Sequence, residues 1–164
     1  MIADEVKKML GLAPHPREGG WYVRTYEAAE TVDVDARYDG LRRTGTAIYY
    51  LLEPGTFSEM HVLESDEIFH HYMGAAVEML QLLPDGESKR AVIGKELNAG
   101  ERPQVVVPRG VWQGSRLMND EGWALLGCTV SPGFEFADYK SAGRDELIAK
   151  WPSEREMITK LTRS

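Results

Sequence analysis

The hydrophobic pattern changes period twice along the chain. Ile2, Val6, Met9 and Leu10 recur at helical spacing with Asp4, Glu5, Lys7 and Lys8 mostly opposite, which predicts a short helix that Gly11 stops. "APHPREGG" follows, and its prolines and glycines cannot continue a helix. From Trp21 to Phe136 the runs are short, rich in β-branched and aromatic residues, and bounded by Gly, Pro, Asp or Asn. They are "WYVRTYEA", "TAIYYLLE", "TFSEMHVL", "EIFHHYM", "AVEMLQLL", "KRAVIG", "QVVVP", "WQGSRLM" and "WALLGCTV". "PDGESK" and "MNDEGW" read as hairpin turns. No helical stretch of useful length separates the runs, so the pattern excludes βαβ repeats and predicts an all-β sandwich or barrel.

The tail returns to helical spacing. Leu147, Ile148 and Trp151 share a face, Pro152 breaks it, and Ser153 with Glu156 reads as a capping box for a last helix. Both helical ends are expected to pack outside the barrel. Asp33 to Gly45, "DVDARYDGLRRTG", is a long polar connection and a candidate mobile loop over a barrel mouth. The expected organisation is one domain over residues 1–164 with the barrel at about 20–137.

Charge narrows the partners. A net charge of -7 and a pI near 5.1 argue against nucleic acid, which needs a basic face. No apolar run approaches the roughly 20 residues of a membrane span, and the opening "MIADEVKKMLGL" lacks the pattern of a signal peptide. Cys128 is the single cysteine, so no intrachain disulfide forms, which fits a reducing, cytoplasmic location. It lies in an apolar run and reads as an inert core thiol.

Candidate chemistry concentrates in "GTFSEMHVLESDEIFHHYMG", which holds three of the four histidines. Alternation places His61 with Leu63 on one strand face, and Glu67, Phe69 and His71 together on the next strand, with His70 opposite. A hairpin turn at "ESD" would bring His61 and Glu67 together. The pair could take part in a divalent metal site with ligands from elsewhere, His71 included. Without metal, Glu67 could orient His61 or raise its basicity for proton transfer. In "PRGVWQGSRL", Gln113 and Ser115 share a face, and the Gln113 amide suits a polar ligand better than a transition metal. Trp21, Tyr22 and Tyr26 read as core or dimer packing, Arg24, Arg42 and Arg43 as solvated charges, and Glu135 and Asp138 as exposed. Ser58 and Thr129 lack the partners of an acyl-transfer nucleophile.

The spacing Gly55, His61, Leu63, Glu67, Gly74 resembles the first cupin motif, with Leu63 where metal-binding cupins carry a second histidine. "PRGVWQ" resembles the second motif, with Gln113 in place of its histidine and Arg102 where its leading glycine would fall. From "HPREGGWYVRTYEA" through "GERPQVVVPRGVWQ" to "LLGCTVSPGFEFADY" the chain resembles the DUF985, or cupin-5, branch of the RmlC-like cupins. That resemblance implies a double-stranded β-helix (cupin jelly roll) with an internal small-molecule pocket, a homodimer, and kinship of fold with sugar-nucleotide epimerases. The expected pocket residues are His61, Leu63, Glu67, Phe69, His71, Gln113 and Ser115. The expected function is binding of a small polar metabolite, carbohydrate or nucleotide-sugar, with isomerase or epimerase chemistry using His61 as base. The alternatives are a non-catalytic sensor or storage cupin and a metal-dependent oxygenase with His61 and Glu67 as ligands. No cofactor is firmly implied.

Overall fold

The computed structural model describes residues 1–34 and 36–163. Its strands are β1 (Ala13–Pro14), β2 (Trp21–Glu27), β3 (Thr31–Val32), β4 (Arg42–Arg43), β5 (Thr46–Leu52), β6 (Phe57–Val62), β7 (Asp66–Gly74), β8 (Val77–Leu82), β9 (Ser88–Ile93), β10 (Gln104–Val107), β11 (Trp112–Leu117), β12 (Ala124–Ser131) and β13 (Lys140–Ser141). The helices are α1 (Ala3–Leu10), α2 (Arg144–Lys150) and α3 (Arg155–Lys160).

Two antiparallel sheets face each other. One has the order β1-β2-β5-β12-β7-β10 and the other β13-β6-β11-β8-β9, the sandwich that the short runs predict and the double-stranded β-helix arrangement that the family resemblance implies. Inward residues of both sheets form the main core: Tyr50, Leu52, Phe69, Val77, Met79, Leu117, Leu126 and Cys128 among them. The intervening residues face out and are covered by the ends of the chain. Val6 and Leu12 pack on Leu51 and Leu125. Leu147, Ile148, Trp151, Met157, Ile158 and Leu161 pack on Met60, Leu80 and Leu82 of the other sheet. Both ends thus lie outside the barrel, as their periodicity predicts. No helix among the described residues is long and apolar enough to cross a membrane.

Several local expectations fail for identifiable reasons. "PDGESK" joins the paired strands β8 and β9 as expected. "MNDEGW" and "ESD", however, carry the chain from one sheet to the other, so neither closes a hairpin. Ser153 does not cap α3; Pro152–Glu154 is a 3-10 turn and the helix begins at Arg155 without a side-chain cap. Apart from Asp35, which lies outside the described residues, the Asp33 to Gly45 connection is tied down. β3 pairs with β4, and the Tyr38 hydroxyl meets Ser65 Oγ at 2.6 Å. Arg42 and Asp138, both expected at the surface, are instead buried and joined by two bonds of 2.8 and 2.7 Å. A bidentate partner offsets the desolvation that makes either charge costly alone. That bond holds the Arg42 guanidinium above its ordinary pKa.

Candidate functional site

A cavity of about 340 Å³ opens between the sheets, lined by His15, Glu18, Tyr22, Val23, Arg24, Thr46, Ile48, His61, Leu63, Glu67, Cys128, Val130, Phe134, Glu135 and Phe136 with Gly11 and Ala13. It lies in the size range of small-molecule sites and has the usual mixture of apolar wall and few polar groups.

His61 comes from β6 and Glu67 from β7, hence from opposite sheets. The His61 ring is buried and stacks on Tyr139 with centroids 4.8 Å apart. Its Nδ1 lies 2.6 Å from the Glu59 carbonyl oxygen. A carbonyl can only accept, so Nδ1 carries the hydrogen, and in the neutral ring Nε2 holds the lone pair. Tyr139 is fixed in turn. Its hydroxyl donates to Glu59 Oε1 at 2.9 Å, and the Arg17 guanidinium covers its ring at 4.7 Å. Burial and the nearby carboxylates push that phenol well above its ordinary pKa.

Glu67 does not orient His61. Its hydrogen-bond partner is Gln113, whose Nε2 lies 2.7 Å from Oε2. Gln113 is directly opposite His61 in the β6–β11 ladder and reaches across the interior to the other sheet. Burial first, and the charge of Glu18 second, raise the Glu67 carboxyl from 4.5 to about 8, against the opposing effect of the Gln113 hydrogen bond. A carboxyl with that value is mostly protonated at neutral pH. Gln113 Oε1 and Ser115 Oγ are buried with no partner.

The remaining expected residues divide. Leu63 lines the cavity beside Val130, Tyr139 and Phe134. Gln113 and Ser115 lie behind the wall, and Phe69 belongs to the packed core. His71 shares the parity of Glu67 but sits four residues along β7, about 13 Å away at strand rise. Phe69 intervenes, and the His71 Nε2 meets the Ala75 carbonyl at 3.0 Å, so His71 is not a cavity residue. His70 faces outward to Thr129 and Tyr72. Cys128 lines the wall as a core thiol, and burial pushes its pKa well up.

The donor set does not suit a divalent metal. Among the described residues no three His, Cys, Asp or Glu side chains converge, Leu63 presents carbon to the cavity, and Glu67 is engaged by Gln113.

Sequence reasoning missed His15 and Glu18. They occupy the tip of the hairpin between β1 and β2, in a stretch read as unable to continue the first helix and as part of the family resemblance, with no site role. Gly19 and Gly20 make this tip, with φ of 102° and 68°. A Cβ on Gly19 would collide with the Phe57 carbonyl oxygen, and one on Gly20 would crowd Leu51 and Tyr50. The tip is fastened inward. His15 Nδ1 accepts from the backbone N–H of Glu18 at 2.9 Å and of Arg17 at 3.3 Å. The Ser58 hydroxyl donates to Glu18 Oε1, and Tyr50 donates to the Gly19 carbonyl at 2.8 Å. The available signal was a glycine pair directly before an aromatic strand, the mark of a tight turn returning into a sheet.

Comparisons with known proteins agree with this architecture. An uncharacterized protein of Saccharomyces cerevisiae, YML079W, is 32% identical over 143 residues, which is 80% of this chain and 71% of that protein. A solved structure from Shewanella oneidensis is 36% identical with a TM-score of 0.89, covering 99% of this chain and 98% of that one. A hypothetical protein from Leishmania major is 29% identical with a TM-score of 0.91, and the two chains match over their full lengths. An oxalate decarboxylase of Bacillus subtilis shares 14% identity at a TM-score of 0.56 over 92% of this chain and 37% of that one, a likeness of fold alone. The model of Cupin_5, described as cupin superfamily (DUF985), matches residues 4–142, and the chain belongs to that family.

Proposed function

We propose that the cavity binds a small polar metabolite of the carbohydrate kind and moves a proton on it, as an isomerase or epimerase does. His61 is the base and Glu67 the acid. The observation that carries this reading is the contrast between the two groups. The Glu59 carbonyl fixes the His61 tautomer so that its lone pair sits on Nε2, while burial keeps the opposing Glu67 carboxyl protonated up to about 8. A proton acceptor and a proton donor facing one cavity are what acid–base chemistry near neutrality needs. A metal-dependent oxygenase is not supported by the donor set. The homodimer expected from the family resemblance is part of the same proposal, and sedimentation of the full chain tests it.

Deuterium exchange reads the chemistry whatever the product. The full chain is incubated in D2O with a panel of neutral and anionic carbonyl metabolites, and proton NMR follows the carbon beside the carbonyl. Exchange with at least one member is expected, slowed about a hundredfold or more in His61→Gln. Binding by thermal shift without exchange would overturn catalysis in favour of a sensor or storage role. No binding by any member would overturn the reading altogether.

A further inference from the structure

The two cavity histidines are locked in opposite tautomers by backbone groups whose character cannot change. His61 Nδ1 faces a carbonyl oxygen and must donate. His15 Nδ1 faces two backbone N–H groups and must accept, so the His15 hydrogen sits on Nε2. The His15 Nε2 lies 3.7 Å from Glu18 Oε2, beyond hydrogen-bond reach, and no other described residue takes it. His61 Nε2 likewise has no hydrogen-bond partner among the described residues. The cavity therefore presents one fixed donor, His15 Nε2–H, and one acceptor, His61 Nε2. The rings differ in a second way. Protonating His61 leaves its bond to Glu59 intact, whereas protonating His15 would set a hydrogen against two backbone N–H groups.

Charge restricts the ligand further. Beside the neutral Glu67 carboxyl, the lining holds the carboxylates Glu18 and Glu135 against a single cation, Arg24. Its guanidinium is already given to Glu27 at 2.8 Å and to the Phe134 carbonyl at 3.1 Å. No lysine lines the cavity, so a phosphate or diphosphate would meet carboxylates without a free cation to receive it. Tyr22, Ile48, Leu63, Val130 and Phe134 suit the carbon skeleton of a short chain instead.

We infer that the cavity takes an uncharged α-hydroxycarbonyl compound, a short unphosphorylated ketose or aldose, with its carbonyl oxygen on His15 Nε2–H and its acidic C–H toward His61 Nε2. This rests on the proposed proton transfer and names the substrate class for it. His61 removes the proton. The C–H electron pair becomes the new C=C bond, and the carbonyl π pair moves to oxygen, where the neutral imidazole N–H of His15 stabilises it. Glu67 gives its proton to that oxygen and recovers one from the neighbouring hydroxyl, and return of the first proton to the former carbonyl carbon gives the isomer, so no oxidant, reductant or co-substrate enters. His15 in this scheme touches the reacting oxygen and is a catalytic residue.

Isothermal titration of the full chain at pH 7 tests the class with D-xylulose and D-erythrulose, their alditols xylitol and erythritol, and D-xylulose 5-phosphate. The ketoses are expected to bind about tenfold or more tighter than the alditols, which lack the acceptor for His15. The phosphate ester should bind about tenfold or more weaker than its parent. In His15→Phe, which keeps an aromatic ring beside Tyr22 and Phe136, the preference for ketose over alditol should fall below about twofold. Should that variant misfold, the wild-type comparisons decide alone. Alditol binding equal to ketose binding, or tighter binding of the phosphate ester, overturns the inference. Absence of binding by all five compounds also overturns it. Exchange seen with some other carbonyl compound in the wider panel would then leave the proton-transfer reading standing.

Discussion

Replacing Glu67 by glutamine gives the sharpest test of the site's electrostatics. The substitution keeps shape and hydrogen-bonding capacity and removes the ionisable group. In the unfolded chain the carboxyl titrates near 4.5, and in the folded protein burial and Glu18 hold it at about 8. Between these values the unfolded chain releases its proton while the folded protein keeps it, so stability falls as pH rises. Each tenfold change is worth about 1.4 kcal/mol, which makes the loss about 4 kcal/mol between pH 5 and 9. Glu67→Gln has no such proton to lose. Urea denaturation of both proteins at half-unit intervals from pH 5 to 9 reads the effect, because titrating groups remote from Glu67 cancel in the difference. The variant should gain on the wild type at about 1.4 kcal/mol per pH unit in the middle of this window, levelling off above pH 8. A difference that is flat from pH 5 to 9 would refute the assignment of a neutral buried acid and, with it, the acid role of Glu67.

Three further outcomes follow from the geometry. Exchange activity should decline as pH rises above about 8, since Glu67 then loses the proton it must donate, and a pH–rate profile that keeps rising past this point would contradict the role. Arg42→Met strands Asp138 as a buried, unpaired carboxylate and should cost about 3–5 kcal/mol in urea denaturation, most of it recovered by adding Asp138→Leu. Gly19→Ala places a Cβ against the Phe57 carbonyl at a φ of 102°, and should cost about 2 kcal/mol or more and weaken ligand binding, because the same tip carries His15 and Glu18.

The barrel was legible because its signals are local and repeated. Short β-branched and aromatic runs between turn residues mark the strands, and the motif from Gly55 to Gly74 carries the family resemblance. What alternation cannot report is the sheet to which each strand belongs. "ESD" and "MNDEGW" have ordinary turn composition, yet both connect sheets, and only pairing over long sequence separation decides that. The same limit governs the site. His61 and Leu63 were found because parity suffices for them, while His71 satisfies parity but lies beyond Phe69 on the same strand. His15 and Glu18 come from a segment with no period at all. Arg42 and Asp138 look like solvent-facing charges one at a time, and their burial depends on meeting a partner 96 positions away.

Placement of His61 and Glu67 in opposite sheets, rather than on one hairpin, has a chemical consequence. Gln113 takes the Glu67 carboxyl and the Glu59 carbonyl takes His61 Nδ1, so the acid and the base face the cavity without bonding each other. Each then needs its own support, and each has it. The Glu59 carbonyl and Tyr139 hold His61, and Gln113 holds Glu67. The hairpin tip adds His15 from a third direction as a donor that its backbone partners prevent from becoming a cation. Base, acid and electrophile thus arrive from three separate segments, each set by its own neighbours. A hydrogen-bonded core pair would need none of this separate support, and it would not turn the Nε2 atoms of both histidines toward one cavity.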